Sequence, residues 1–417
     1  MARFRVDPNR LLDRITRFGS LGATSSGGCT RLAATALNAE ADNLLLELAR
    51  PLVDRVERDR IGNLFLRREG RDPGRGAIAF GSHLDTVPEG GRYDGVFGVL
   101  AGLAVLEAIH EADLHLPAPL ELVVFQNEEG SRFSPPMLGS RVMAGALGLE
   151  QALDTQDEAG VTLRQALAET GQAGPVAPGD RGWACFLEAH IEQGPELERA
   201  AHAAGGDPDR FLGIVTHAFH VRYFAITLTG ASSHVGPTAM PDRRDSLAAA
   251  AELILAIEAI GRDSEPLARA SCPWIQNEPN VRGANPGLTR LACDLRAADP
   301  GRLPAMEQAL RERIATVAQR RGIAIELTQT GVMDPARFDP GLRSTLQRNA
   351  ESLGLLTLDL AAAAGHDAVL ITRLCPTAML FVTSVNGITH HPDEFSTPGA
   401  LANGAQVLLD TVLELAR

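Results

Sequence analysis

Lysine is absent from this chain of 417 residues, so every one of its 39 basic residues is arginine. A Walker-type phosphate loop and Schiff-base chemistry both require a lysine amine and are excluded. No Gly-x-Ser-x-Gly elbow occurs, which weakens the case for a serine hydrolase. Aromatic residues make up only 4% of the chain, too few for the stacking platforms that hold single-stranded nucleic acid. Positive charge is in deficit as well: the formal net charge is −13, which offers no general attraction to phosphate backbones or anionic lipid. Neither nucleic acid nor a membrane surface is an expected partner.

The five cysteines (Cys29, Cys185, Cys272, Cys293 and Cys375) are widely spaced and include no Cys-x-x-Cys. Free thiols are therefore expected, not a disulfide framework or a zinc knuckle. Long apolar runs are also missing. The N-terminal MARFRVDPNRLLDRITRFGS carries charges where a secretory signal needs an apolar core, and LAAAAELILAIEAI is broken by Glu252 and Glu258. The chain reads as soluble and cytoplasmic.

What is present is an α/β alternation. Short apolar runs end in Gly or polar clusters and give way to longer helical patterns. AIAF (77 to 80) reads as a strand stopping at Gly81, followed by a helix over 95 to 112; LELVVF (120 to 125) leads into QNEEGSRF, WACFLEAHIEQG (183 to 194) repeats the pattern, and TAMLFVTS (377 to 384) leads into GITHHP before a closing helix. AAHAAGGDPD (200 to 209) reads as a linker. From 213 to 331 the rhythm changes to strand, helix, strand, helix, strand, which predicts two helices on one face of a small antiparallel sheet. The expectation is an α/β main domain, a mixed central sheet flanked by helices, split into 1–212 and 332–417, with an α+β domain of ferredoxin-like type inserted over 213–331.

Four predicted strand ends carry side chains that bind metals: His83 in GSHLDT, Glu128 and Glu129 in NEEG, His190 in EAHIEQG and His390 in GITHHP. Asp94, in GGRYDGVFG, is a fifth candidate. Carboxyl ends of strands are where α/β sheets place ligands, and neutral imidazoles with carboxylates suit zinc and neighbouring divalent ions. Each residue alone has an ordinary structural use, but all five together do not. Residues two apart on an extended segment share a face, so the Asp85 carboxylate is expected to reach the second ring nitrogen of His83 and fix its tautomer. Of the paired acids, one is expected to ligate while its neighbour takes a proton from water activated by the metal. That chemistry is hydrolysis of an amide-like bond.

With GGCTRLAAT, GSHLDTVPEGGRYDGVFGVLAG, NEEGSRF, HIEQGPELE, GASSHVGPTAM, RRDSL, CDLR, GHDA and GITHHPDEF in this order, nearly the whole chain resembles the dinuclear metal amidohydrolases. That family includes N-carbamoyl-L-amino-acid hydrolases, ureidopropionases and allantoate amidohydrolases, and is related to the zinc exopeptidases and aminoacylases. HIEQGP points to the carbamoylase branch. The resemblance implies two divalent ions per chain (zinc, or manganese, cobalt or nickel), with His83 and His190 serving one metal each on the two sides of a bridging Asp94. Glu129 would ligate on the His390 side, and Glu128 would be the general base. Gln193, Arg296 and His366 would contact the substrate, and His234 would polarise the scissile carbonyl. His391 falls at a variable place in the motif. The implied substrate is a small carbamoyl or ureido acid, and the implied assembly is a homodimer through the inserted domain, which closes as a lid. One departure is Gly283, in GANPG, where the family often has an Asn that bonds the substrate carboxylate; Asn280 and Asn285 are the possible substitutes. An aminoacylase or dipeptidase, and a catalytically inactive binding homologue, are the alternative readings.

Overall fold

In a computed structural model that describes residues 4–72, 74–266 and 268–417, the stretch VFGVLAGLAVLEAIHE forms a helix, Val96–Glu111, buried continuously from Val96 to Ile109. A helix apolar all round must be covered all round. This one lies against the central sheet on one side and the helices Pro8–Ser20 and Pro398–Leu415 on the other. Together these elements form the principal core.

The strands, in chain order, are β1 Arg55–Arg58, β2 Leu64–Arg68, β3 Ile78–His83, β4 Leu120–Phe125, β5 Cys185–Ile191, β6 Phe211–Ala218, β7 His220–Thr229, β8 Ser233–His234, β9 Ala268–Glu278, β10 Ala284–Asn285, β11 Leu288–Ala297, β12 Ala324–Met333, β13 Leu356–Ala362 and β14 Thr377–Val382. Eight of them make one mixed sheet in the order β1-β2-β4-β3-β5-β14-β6-β13. The four middle strands, β4, β3, β5 and β14, run parallel, so their carboxyl ends open on one edge of the sheet. Strands β3 and β5 carry His83 and His190 at these ends, while β4 leads into Glu128 and Glu129 and β14 towards His390.

By contacts the chain forms two units, one of Met1–Thr216, Arg337–Leu360 and Ala364–Arg417 and the other of His217–Ala336 with Ala361–Ala363. The second unit holds an antiparallel sheet, β12-β7-β11-β9, and its elements follow the order β-α-β-β-α-β. Its helices explain themselves locally. Ser246–Asp263 is capped by Asp245, whose side chain accepts from the N–H groups of Leu247 and Ala248, and it buries Leu253, Ile257 and Ile260. Leu303–Arg321 buries Leu303, Met306, Leu310, Ile314 and Val317 at helical spacing and stops at Gly322, φ +61°.

Three local expectations are corrected. The strand read over 77 to 80, β3, does not stop at Gly81 but runs through it to His83. At φ +153° a Cβ on Gly81 would lie 1.9 Å from the Val123 carbonyl oxygen, so glycine here keeps two strands together. The supposed linker 200–209 is helical up to Ala203, in Glu196–Ala203, and leads directly into β6 of the main sheet. The edge strand β9, ARASCPWIQNE, escaped the pattern because polar residues fall on both of its faces.

Candidate metal centre

In the first unit, the carboxyl ends of β3 and β5 bring His83 and His190 beside Asp94, which sits in the loop that turns into the buried helix. His83 Nε2 lies 3.5 Å and His190 Nε2 3.1 Å from Asp94 Oδ1. The other oxygen, Oδ2, faces His390 Nε2 at 3.4 Å, and His390 in turn lies 3.3 Å from Glu129 Oε2. The side chains thus gather into two donor groups, His83–Asp94–His190 and Asp94–Glu129–His390, each with its donor atoms within 4.8 Å of one another. This corrects the expected division of the histidines. His83 and His190 share one side of Asp94, and His390 and Glu129 occupy the other.

The loop needs Gly95 at φ +65°, because a Cβ there would lie 2.4 Å from the His83 ring. Ring orientation is set by the main chain. His83 Nδ1 lies 3.0 Å from the Asp85 carbonyl oxygen, and His190 Nδ1 lies 2.9 Å from that of Ile191. A carbonyl only accepts, so each Nδ1 carries a proton and each Nε2 is the nitrogen left to face a metal ion. The Gly95 N–H, 3.2 Å from His190 Nε2, agrees with that tautomer. The expected role of the Asp85 carboxylate is corrected as well. It stays 3.8 Å from His83 Nδ1 and instead accepts the main-chain N–H groups of Glu128 and Glu129, each at 3.2 Å.

An Nε2 and a carboxylate oxygen at these distances need a proton or a metal ion between them, and imidazoles gathered with carboxylates are a donor set that fits divalent metal ions. Among the described residues the acids here are buried together. Burial, then Asp94, pushes Glu129 up to about 8, and burial pushes Glu128 well above the usual carboxylate range. Burial alone would lower His83, but Glu128, Asp94 and Asp85 outweigh it and raise it well above the ordinary imidazole value. Without a cation, the cluster satisfies its charge by holding protons.

Glu128 lies 3.6 Å from His83 Nε2 and belongs to neither donor group. Gln193, at φ +59°, donates through Nε2 to Asp94 Oδ2 at 2.6 Å, while its buried Oε1 has no hydrogen-bond partner among the described residues. His366 is buried with its ring centroid 4.5 Å from that of His190, and its Nε2 is likewise unpartnered. Burial, then His190, holds His366 well below the ordinary imidazole value. His391 is exposed and accepts the Asp393 N–H at Nδ1, 3.1 Å away.

In the second unit, His234 Nδ1 accepts the Gly236 N–H at 3.1 Å, leaving Nε2 available. Arg296 is oriented by its own surroundings: Nε donates to Asp294 Oδ2 at 2.5 Å and Nη1 to the Ala363 carbonyl at 3.0 Å. Asn285 is committed to holding the His234 segment, donating to Ser233 Oγ at 3.0 Å. A Cβ on Gly283 would meet nothing within 4 Å.

Sequence reasoning missed two buried acids here. Glu188 accepts Ser82 Oγ at 2.7 Å and the Ala368 N–H at 2.9 Å, and forms a third group with His190 and His366. Its position two residues before His190 on one strand was the available signal. Glu394 offered no such signal, since its partners Tyr93 and Asp94 are about 300 residues away.

The sequence pattern of peptidase family M20/M25/M40 matches residues 79–414 of this chain. An N-carbamoyl-L-amino-acid amidohydrolase of Rhizobium meliloti is 32% identical over 412 residues, 99% of this chain and 97% of that one. An allantoate amidohydrolase of Bacillus subtilis (strain 168) is 32% identical over 418 residues, 98% of each chain. The crystal structure of an amidase of the hydantoinase/carbamoylase family from Burkholderia vietnamiensis superposes with a TM-score of 0.93 at 37% identity, covering 99% of this chain and 98% of that one. The resemblance read from the motifs and the mixed α/β class are both borne out.

Proposed function

The chain belongs to peptidase family M20/M25/M40, and within it we propose a metal-dependent hydrolase that cleaves the carbamoyl C–N bond of N-carbamoyl-L-amino acids or a closely related ureido acid. The observation that carries this reading is the placement of Asp94 between two His/carboxylate groups, with a further buried acid, Glu128, left out of both.

His83, Asp94 and His190 would hold one divalent ion, and Asp94, Glu129 and His390 a second, of zinc, manganese, cobalt or nickel type. The ions, when bound, supply Lewis acidity at the carbamoyl oxygen and acidify the attacking water. Glu128 takes the water proton at its carboxylate and returns it to the departing nitrogen, whose bond to the carbamoyl carbon breaks. One water adds and one C–N bond breaks, leaving the amino acid and carbamic acid, and the carbamic acid then falls apart in water to carbon dioxide and ammonia. His234 Nε2 donates to the oxygen that gains charge, and Arg296 takes the substrate carboxylate with the N–H groups that Asp294 and Ala363 leave unused. Gln193 Oε1 and His366 Nε2, both without a partner among the described residues, suit the ureido N–H groups of such a substrate. Gly283 offers no side-chain amide and Asn285 donates to Ser233 Oγ, so Arg296 is the residue assigned to the substrate carboxylate.

We further propose a homodimer through the second unit, acting in the cytoplasm, with that unit closing as a lid. Strand β9 is an edge of its sheet and exposes Trp274 and Ile275, 49% and 42% accessible. The five cysteines are free thiols, in keeping with a reducing compartment. No described helix is long and apolar enough to cross a membrane.

The test is ammonia release from a panel of N-carbamoyl-L-amino acids, ureidopropionate and allantoate, before and after chelation and on return of each metal. Activity that survives complete metal removal overturns the proposal. Turnover of N-acetyl amino acids or dipeptides without ammonia favours an aminoacylase or dipeptidase, and two bound ions with a silent panel favour an inactive binding homologue.

A further inference from the structure

Glu394, in HHPDEF, has no part in the chemistry above, yet it is only 5% exposed and lies at the centre of the metal site's loops. Its Oε1 accepts two main-chain N–H groups, those of Tyr93 at 3.0 Å and Asp94 at 3.1 Å. Its Oε2 accepts the hydroxyl of Thr389, the residue before His390, at 3.0 Å. Both oxygens are thus engaged by donors, and Glu394 belongs to none of the donor groups among the described residues. The fit is close: a Cβ on Gly91 would lie 1.9 Å from Glu394 Oε1 and 2.4 Å from its Cβ. A second contact joins the same two loops, since Tyr93 and Phe395 pack edge to face with ring centroids 5.9 Å apart.

The Thr389 hydroxyl lies 3.2 Å from Asp94 Oδ2 as well. It has one proton for two carboxylates, so it serves Glu394 whenever Asp94 Oδ2 is turned to a cation. His390 sits at φ +53°, a conformation that a non-glycine residue keeps only when its surroundings hold it. The loop with His390 therefore needs an anchor, and the loop with Asp94 is where it is anchored.

We propose that Glu394 is a positioning residue that fastens the Asp94 loop to the His390 loop, so that one buried carboxylate sets the spacing of the two donor groups. The inference rests on the dinuclear reading above and concerns ion binding alone, before any substrate arrives. Partners that orient ligands from outside the coordination sphere typically change metal affinity by about 10- to 100-fold.

The experiment is calorimetric titration of the chelated protein with zinc, repeated with cobalt to record the visible absorption of each bound ion. The native chain is expected to take up two ions. Glu394→Ala is expected to bind the weaker ion about tenfold or more less tightly and to alter its cobalt spectrum, while Glu394→Gln, which keeps one carbonyl acceptor, recovers most of the affinity. An alanine variant with native circular dichroism that binds both ions as the native chain does overturns the inference. Should the alanine variant fail to fold, Thr389→Val, which removes the hydroxyl donor to Glu394 Oε2, decides. A several-fold loss for one ion supports the fastening role, and unchanged affinity for both overturns it. A native chain that binds no zinc would instead overturn the dinuclear reading, and the two failures are thus distinguishable.

Discussion

Asp85 holds His83 through its main chain and the two glutamates through its side chain. The imidazole Nδ1 lies 3.0 Å from the Asp85 carbonyl oxygen, while the carboxylate accepts the N–H groups of Glu128 and Glu129, each at 3.2 Å. One residue thereby fixes a ligand's tautomer and also positions the segment that carries both a ligand and the proposed base. Asp85→Asn keeps the carbonyl and loses the charge. It is expected to retain the ion beside His83 while activity falls about 10- to 100-fold, as read by metal content and ammonia release on the same sample. Loss of that ion would return the tautomer role to the carboxylate.

Glu128 stands apart from both donor groups, so its removal should separate chemistry from metal binding. Glu128→Gln is expected to keep two ions and a near-native KM while kcat drops about a hundredfold to ten-thousandfold, the range for a lost general base. A matching loss of bound metal would make Glu128 a ligand and remove it as the base.

The adjacent histidines differ in what they face. His390 points to Asp94 and Glu129, and His391 to the Asp393 N–H in solvent. His390→Ala should cost one ion and nearly all activity, whereas His391→Ala should stay within about twofold of native, as is usual for exposed substitutions. Two variants with equal losses would show that the register drawn through this loop is wrong.

Without metal, the protein should become less stable as pH rises. Burial lifts Glu129 to about 8 and Asp59 to about 7, against about 4 in an unfolded chain. Between those values the native state holds a proton that the unfolded state has released, so stability falls with rising pH, by at most about 1.4 kcal/mol per pH unit for each such group. The raised values of His83 and His190 act in the same direction. Urea unfolding of the chelated protein should therefore show a lower midpoint at pH 8 than at pH 6.5, and restoring the ions should remove much of that slope by keeping the acids ionised. A midpoint that rises with pH in chelator would contradict the assignment.

Residue identities alone placed His83, Glu129, His190 and His390 after apolar runs, and those runs proved to be the four parallel strands whose carboxyl ends share one edge of the sheet. Because side chains and turn residues encode local structure, the strands, the buried helix and the donor set were legible one segment at a time. Polar residues on both faces hid β9, and a glycine inside β3 read as a stop. Only the tertiary structure decided which oxygen of Asp94 each histidine faces, which half of Asp85 meets the imidazole, and what Glu394 holds. Those relationships join groups far apart in the chain and depend on main-chain N–H and C=O directions, which every residue possesses and no residue letter distinguishes.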